Sequence, residues 1–309
     1  MKLIDLHCDT LSAILERQQG LFRNVCHFDL ERAIGCGLKI QFMAIFVGPH
    51  PPSVALDMVC RQLEYYQEQL HINQNQIYGL KSIEDLQQHW TGAKLGTLLH
   101  LEGAEALGQD MQVLHFLYES GLRSMGLTWN PGNLLSGGIG DGPEASGLTP
   151  WGREVVEEME KMGIILDAAH ISVKGFFDLL EIYHKPLVVT HANSKAKCDH
   201  IRNLSDTQLL ALSENGGIIG ITQVNDFVVK KDQASVADLL DHISHIAELI
   251  GVKHIALGSD FDGADHIVMS GIEEYSTWPQ LLKGRGFSDK EISMILFGNA
   301  LTLMKKILK

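Results

Sequence analysis

Six acidic and imidazole side chains stand near the ends of short apolar segments, where a buried strand would give way to a loop. The first two come from the stretch KLIDLHCDT at residues 2–10, in which a histidine and an aspartate lie two positions apart. The whole set is His7, Asp9, Glu102, His170, His191 and Asp260. Imidazoles and carboxylates held close together without a partner pay a desolvation cost, and the like charges repel. A divalent cation relieves both costs, so these residue types predict a metal-dependent site.

The ligand types restrict the metal. Histidine nitrogen and carboxylate oxygen without a thiolate suit Zn²⁺ in a catalytic setting, with Mn²⁺, Fe²⁺ or Co²⁺ as substitutes. The five candidates other than Asp260 are too many for one open zinc site. They fit two ions about 3.5–4 Å apart that share a carboxylate and a bridging water. Because alternate strand residues point to the same side, His7 and Asp9 face the site together and Cys8 faces away as a buried residue.

Eight short apolar runs must position these side chains. They comprise residues 3–9, 38–47, 94–103, 122–130, 163–170, 186–193, 216–223 and 254–263. Several open with Gly or Pro, and their nearly continuous apolar character is typical of parallel strands that are buried on both faces. Helical patterns lie between them, among them 53–70, 152–162, 234–250 and 290–308.

Strands that alternate with helices indicate βα units and a parallel sheet. Eight such runs favour a closed (β/α)₈ barrel of the TIM type over the alternative, an open doubly wound sheet. In such a barrel the active site lies at the C-terminal ends of the strands, so the six side chains converge on one rim. No linker or shift of composition divides the chain, and we expect one domain over residues 1–309.

Composition excludes several partners and suggests a compartment. The net charge of −13 disfavours binding to nucleic acid or to an anionic membrane surface. The five cysteines form no CxxC motif, which favours a reducing compartment. The sequence has no signal-peptide pattern and no apolar run approaching ~18 residues, so we expect a cytoplasmic location.

Six separated motifs resemble those of the membrane (renal) dipeptidase family, the zinc dipeptidases of peptidase family M19 with amidohydrolase-like barrels. The motifs are HCD at 7–9, EG at 102–103, GLTPWGREVVEEMEKMGIILDAAHIS at 147–172, THANS at 190–194, HIRN at 200–203 and GSDFDG at 258–263. They span nearly the whole chain in the order and spacing of the family. A lone HxD motif would be a weak signal, whereas the ordered set is a strong one.

The resemblance implies a role for each metal ligand. His7 and Asp9 would bind one zinc ion, and His170 and His191 would bind the other. Glu102 would bridge the two ions and take part in catalysis. Glu105 is the alternative bridging residue, although a carboxylate in the first turn of the next helix is also favoured by the helix dipole.

The resemblance also implies the reaction and the residues that meet the substrate. The family hydrolyses free dipeptides, with L-Xaa-D-Xaa among the expected substrates, by attack of a metal-bridging hydroxide on the scissile carbonyl. Arg202 would bind the C-terminal carboxylate, and Asp260 would face the substrate amine and the catalytic water. Trp129 stands where eukaryotic members have a histidine that contacts the scissile carbonyl, so we expect it to bind substrate and to alter the substrate range. A homodimer is a further expectation from the family.

Two other functions fit the same residues. One is a different amide or ester hydrolase on the same metal site, since fold alone does not decide the pocket chemistry. The other is a catalytically silent barrel used for binding, which has no physical need for an intact ligand set. His100 shares strand parity with Glu102, and it is either a second contact group of the site or an ordinary buried histidine.

Overall fold

Nine parallel strands alternate with helices in the computed structural model, which describes residues 2–231 and 233–309. The strands are β1 Leu3–Cys8, β2 Leu38–Phe46, β3 Ile77–Gly79, β4 Leu95–Glu102, β5 Leu122–Gly126, β6 Ile165–Asp167, β7 Val188–Ala192, β8 Ile218–Ile221 and β9 Ile255–Leu257. Each predicted run contains one barrel strand, and the short β3 is the strand that the sequence pattern did not predict.

Eight of the strands close into a barrel, which confirms the predicted (β/α)₈ architecture over the open sheet. The ring runs β1-β2-β4-β5-β6-β7-β8-β9, and β9 pairs again with β1. The ring is completed between β2 and β4, where residues 40–46 pair with residues 96–102. β3 lies outside the ring and pairs with the first residues of β4.

Thirteen α-helices surround the strands in the described part of the chain. They are α1 Thr10–Glu16, α2 Leu30–Cys36, α3 Pro52–Ile72, α4 Ile83–His89, α5 Met111–Ser120, α6 Pro150–Met162, α7 Val173–Ile182, α8 Asp206–Glu214, α9 Asn225–Val228, α10 Val236–Ile250, α11 Trp278–Gly284, α12 Asp289–Ser293 and α13 Asn299–Ile307. A π-helical turn, Met294–Gly298, joins the last two into the helix predicted over 290–308. Short 3₁₀ turns add Glu105–Leu107, Ile139–Asp141, Val252–His254 and Ile272–Thr277.

The start of α6 illustrates how local sequence sets an element. The Thr149 hydroxyl accepts a hydrogen bond from the backbone N–H of Gly152, and Pro150 occupies the first helical position. A threonine cap satisfies an otherwise unpaired N–H group, and proline has no N–H to leave unpaired. The helix therefore begins at Pro150, two residues before the helical pattern predicted over 152–162.

The two ends of the barrel differ in chemistry. Below the rim the interior is apolar, with Ile4, Ile40, Phe42 and Leu98 fully buried. Helix α13 packs against this layer and belongs to the same buried cluster. The six predicted acidic and imidazole side chains lie toward the opposite end, where the strands finish. No helix within residues 2–231 and 233–309 is both long and apolar enough to cross a lipid bilayer.

Two glycines allow β7, β8 and β9 to approach closely. A Cβ atom on Gly258, directly after β9, would lie 1.8 Å from the carbonyl oxygen of Thr190 in β7. A Cβ on Gly220 of β8 would lie 2.0 Å from the same oxygen. Neither position tolerates a side chain unless β7 moves, and β7 carries His191.

We predict that Gly258→Ala destabilises the protein, because overpacking against backbone typically costs about 1–3 kcal/mol. Gly284→Ala is the matched control, since a Cβ there meets no atom within 4 Å. Chemical denaturation of both variants measures the effect. Equal free energies of unfolding for Gly258→Ala and the parent chain would contradict the steric argument.

Candidate metal centre

The barrel brings all six predicted acidic and imidazole side chains to one rim. Each lies within a strand or at most three residues after its end, and the exposed fractions run from 0% to 8%. The set is His7 in β1, Asp9 after β1, Glu102 at the end of β4, His170 after β6, His191 in β7 and Asp260 after β9. Groups with the spacing needed to bind a metal occur within this set.

One group consists of Glu102, His170 and His191. The Oε1 atom of Glu102 lies 2.8 Å from Nε2 of His170 and 3.4 Å from Nε2 of His191. The two imidazole Nε2 atoms are 2.8 Å apart. Three potential ligand atoms therefore converge on one point.

A second group consists of His7, Asp9 and Glu102. The Nε2 atom of His7 lies 3.1 Å from Oδ2 of Asp9 and 3.7 Å from Oε2 of Glu102. Oδ1 of Asp260 is 3.8 Å from the same nitrogen. Oδ1 of Asp9 is buried and makes no hydrogen bond. Glu102 thus directs one oxygen toward each group.

Neighbouring side chains fix which nitrogen of each imidazole carries hydrogen. Nδ1 of His170 donates to Oδ1 of Asn130 at 2.8 Å. The Thr190 hydroxyl donates to Oδ2 of Asp167 at 2.6 Å, so its oxygen accepts from Nδ1 of His191 at 2.9 Å. Such hydrogen bonds leave Nε2 of both rings with a lone pair, which is the form that binds a metal.

These contacts test whether a metal fits. Burial lowers the pKa of His170 and His191 well below the usual value, and nearby Arg202 and His7 lower it further, so both rings are neutral. Two bare nitrogens then face an oxygen of Glu102, whose pKa burial raises well above its usual value. A cation is the partner that satisfies three such acceptors at once. The residues therefore fit a metal centre.

Two buried aspartates clamp the backbone beside the site. Asp167 accepts from the N–H and the hydroxyl of Thr190 at 2.9 and 2.6 Å. Asp5 accepts from the N–H and the hydroxyl of Ser259 at 2.8 and 2.6 Å. Thr190 immediately precedes His191, and Ser259 immediately precedes Asp260. Each aspartate therefore holds the backbone directly before a site residue in place. Together with Asn130, these residues were missed by the sequence analysis, although an acid inside an apolar strand run is a usable signal.

The backbone is strained at two of the site residues. His170 and Asp260 have positive φ angles of 66° and 64°, which are uncommon for residues other than glycine. Beside them, a Cβ on Gly263 would lie 2.4 Å from carboxylate oxygens of both Asp9 and Asp260. Strained residues persist where the surrounding structure holds them, and such positions cluster at functional sites.

The structure also places the predicted substrate-binding residues at the rim. Arg202 is buried, its Nη2 donates to the carbonyl oxygen of His191 at 3.1 Å, and its Nε has no partner. Trp129 is half-buried, with its ring centroid 6.1 Å from that of His170 and 5.3 Å from that of Phe46. A cavity of about 350 Å³ above the ligands is lined by Trp129 and Phe46 and by Asp9, Glu102, His170 and Asp260.

The remaining candidates lie outside the ligand groups. Glu105 begins a 3₁₀ turn, and its Oε1 accepts from Asn133 at 3.2 Å. His100 is fully buried one pleat below Glu102, with its Nδ1 2.9 Å from the Ser124 hydroxyl oxygen. Cys8 points away from the site and its sulfur contacts that of Met43 at 3.6 Å.

A closed parallel barrel with histidines and carboxylates at its C-terminal strand ends is suited to metal-dependent hydrolysis. The family model of the membrane dipeptidases, peptidase family M19, matches residues 1–309. The chain belongs to this family, as the sequence motifs predicted.

Relatives and solved structures agree with this assignment. Dipeptidase tcpJ of Claviceps purpurea is 30% identical over 258 residues, covering 82% of this chain and 59% of the relative. Dipeptidase aclJ of Aspergillus oryzae is 29% identical over 282 residues, covering 86% of this chain and 67% of the relative. This chain thus aligns with well under the full length of both fungal proteins.

Two crystal structures share the fold over nearly their whole length. A metallopeptidase of family M19 described as the dipeptidase AC superposes with a TM-score of 0.93 at 25% identity, covering 100% of this chain and 99% of that one. A metallopeptidase from Rhodobacter sphaeroides, liganded with a phosphinate mimic of L-Ala-D-Ala, gives 0.92 at 24% identity, with 99% of each chain covered.

We predict that Thr190→Val weakens metal binding, because valine lacks the hydroxyl that connects His191 to Asp167. Loss of a group that orients a ligand typically lowers metal affinity by about 10–100-fold. Thr190→Ser retains the hydroxyl and serves as the matched control. Competition with a chromogenic chelator measures the affinity, and denaturation of the metal-free variants separates stability from binding. Equal affinities for the two variants would contradict the orienting role.

Metal binding should release protons. Burial lowers the pKa of His7, but the carboxylates of Glu102, Asp9 and Asp260 outweigh burial and raise that pKa to about 10. Near neutral pH the metal-free His7 is therefore an imidazolium, and a metal requires its bare nitrogen. We expect release of about one proton or more per chain and a metal affinity that falls as the pH falls. Calorimetry in buffers of different ionisation enthalpy counts the protons, and a count of zero would contradict this protonation state.

Proposed function

We propose that the chain is a binuclear zinc dipeptidase that hydrolyses free dipeptides, with L-Xaa-D-Xaa among its substrates. The observation that carries the proposal is the position of Glu102, which directs one carboxylate oxygen toward His170 and His191 and the other toward His7. A shared carboxylate of this kind suits two cations at one site. Family membership supports the same activity.

The proposal assigns His7 and Asp9 to one zinc ion and His170 and His191 to the other, with Glu102 as the bridge. Mn²⁺, Co²⁺ or Fe²⁺ would suit the same ligands. Cations held there would polarise the scissile carbonyl and make a water molecule more acidic. The chain's own residues then bind the substrate, orient it and move the proton.

Asp260 is the proposed proton acceptor. It lines the cavity, and burial raises its pKa to about 6, with Asp9 also raising it and His7 and Arg202 lowering it. A carboxylate with a pKa near the working pH accepts a proton and returns it in the same reaction cycle. It would take the proton from the attacking water and deliver it to the leaving amine.

Arg202 is the proposed anchor for the substrate's C-terminal carboxylate. A guanidinium group matches a carboxylate with two parallel hydrogen bonds, and a buried Nε without a partner is available to make one. Its hydrogen bond to the carbonyl oxygen of His191 ties the anchor to a metal ligand. Trp129 would form the cavity wall beside His170.

The remaining expectations extend the same proposal. Residues 1–309 would act as one hydrolase domain, which the extent of the family match supports. Five free cysteines support a reducing, cytoplasmic location. A net charge of −13 disfavours nucleic acid and anionic membranes as partners, and the homodimer stays a prediction from the family resemblance.

The test is hydrolysis of free L-Xaa-L-Xaa and L-Xaa-D-Xaa dipeptides by the zinc-loaded chain, with a chelator-treated control. We expect chelator-sensitive release of amino acids, and a loss of roughly 10²-fold or more in kcat for Asp260→Asn. Asp265→Asn is the matched control, because Asp265 is exposed on the same loop and does not line the cavity.

Each alternative has its own outcome in this assay. If the protein carries two metals but releases no amino acids, the result would favour another amide or ester hydrolase on the same site. Absence of both metal and turnover would favour the silent barrel. Near-normal turnover by Asp260→Asn would remove that residue from the proton path.

A further inference from the structure

A second cavity lies beside the one above the metal ligands. The side cavity, defined here as the space of about 310 Å³ between α1 and α3, lies beside the main cavity of about 350 Å³. Ser12, Glu16 and Phe46 line both. The two spaces are therefore neighbours, and these three side chains form the wall that they share.

The side cavity lies across the barrel from the proposed carboxylate anchor. In the ring of eight strands, β7 stands opposite β2; Arg202 follows β7 and Phe46 ends β2. A dipeptide has its C-terminal carboxylate at one end and its N-terminal residue at the other. With the carboxylate on Arg202 and the scissile carbonyl above the ligands, the N-terminal residue extends toward Phe46 and α1.

The walls of the side cavity define what it would accept. Leu15, Val47 and Met58 make most of its surface apolar, Ser12 and Gln62 add polar atoms, and the charged Glu16 and Arg61 lie at its exposed edge. A methionine side chain is flexible and adapts to the apolar groups that it contacts. The cavity is thus shaped for an apolar chain that is longer than a methyl group.

The one buried amide in this wall is already engaged. Nε2 of Gln62 donates to the carbonyl oxygen of Phe46 at 2.6 Å, and its Oε1 accepts from the Phe46 N–H at 3.3 Å. Gln62 therefore holds the end of β2 in place, and Phe46 stands as a fixed boundary between the two cavities.

We propose that the side cavity is the subsite for the side chain of the substrate's N-terminal residue, and that it selects long aliphatic or thioether side chains over alanine. The inference rests on the proposed dipeptidase function. Additional methylene groups that fill a matching apolar pocket raise kcat/KM by about 10-fold or more. The C-terminal residue, which is held at the Arg202 side, gains nothing from this cavity.

The test compares kcat/KM of the zinc-loaded chain for L-Met-L-Ala, L-Ala-L-Met and L-Ala-L-Ala. We expect Met-Ala to exceed Ala-Ala by about 10-fold or more, and Ala-Met to gain less. Met58→Trp fills the cavity and should reduce the Met-Ala to Ala-Ala ratio by about 10-fold. Val54→Trp is the matched control on the same helix, because Val54 is 45% exposed and lines neither cavity.

A second variant, Leu15→Phe, fills the same space from α1 and keeps the test decisive if Met58→Trp does not fold. A ratio that both folded variants leave unchanged would overturn the subsite. Hydrolysis of Ala-Ala by the parent chain with no preference for Met-Ala would overturn the subsite and leave the dipeptidase proposal intact. Hydrolysis of no dipeptide at all would overturn both.

Discussion

The close approach of three hydrogen-bond acceptors is the constraint on which the rest of the site depends. Nε2 of His170, Nε2 of His191 and Oε1 of Glu102 lie within 2.8–3.4 Å of one another in a buried position. Without a cation such an arrangement is repulsive, and with one it is a ligand set. The folded barrel must therefore supply enough stability to hold these atoms together before the metal binds.

Much of the surrounding polar structure serves that requirement. Asn130 and Thr190 each accept a hydrogen from Nδ1 of an imidazole, which turns the bare nitrogen toward the centre. Asp167 and Asp5 fix the residues that precede His191 and Asp260 by paired hydrogen bonds to N–H and hydroxyl. Because burial raises the pKa of both aspartates while those bonds lower it, the donors are what make charged carboxylates tolerable there.

Stability and function occupy opposite ends of the same barrel. The apolar interior below the rim, covered by α13, contains none of the chemistry and can be packed for density alone. The rim carries the strained residues, the buried carboxylates and the loops. This division explains how the chain accommodates positive φ angles at His170 and Asp260, since the strain lies in loops attached to a rigid scaffold.

Sequence by itself determined the strands, the barrel and the ligand types. Eight strands could be predicted because burial on both faces demands continuous apolar residues. Five of the eight apolar runs end near a candidate acid or imidazole. The ordered motifs from HCD to GSDFDG determined the family. The short β3 could not be predicted, since three residues are too few to show a strand periodicity. Tertiary structure alone decided how Thr190, Asp167 and Asn130 orient the imidazoles. It also decided that Ser12, Glu16 and Phe46 line two neighbouring cavities. Those relations link residues far apart in the chain, and they exist only after barrel closure brings their strands together.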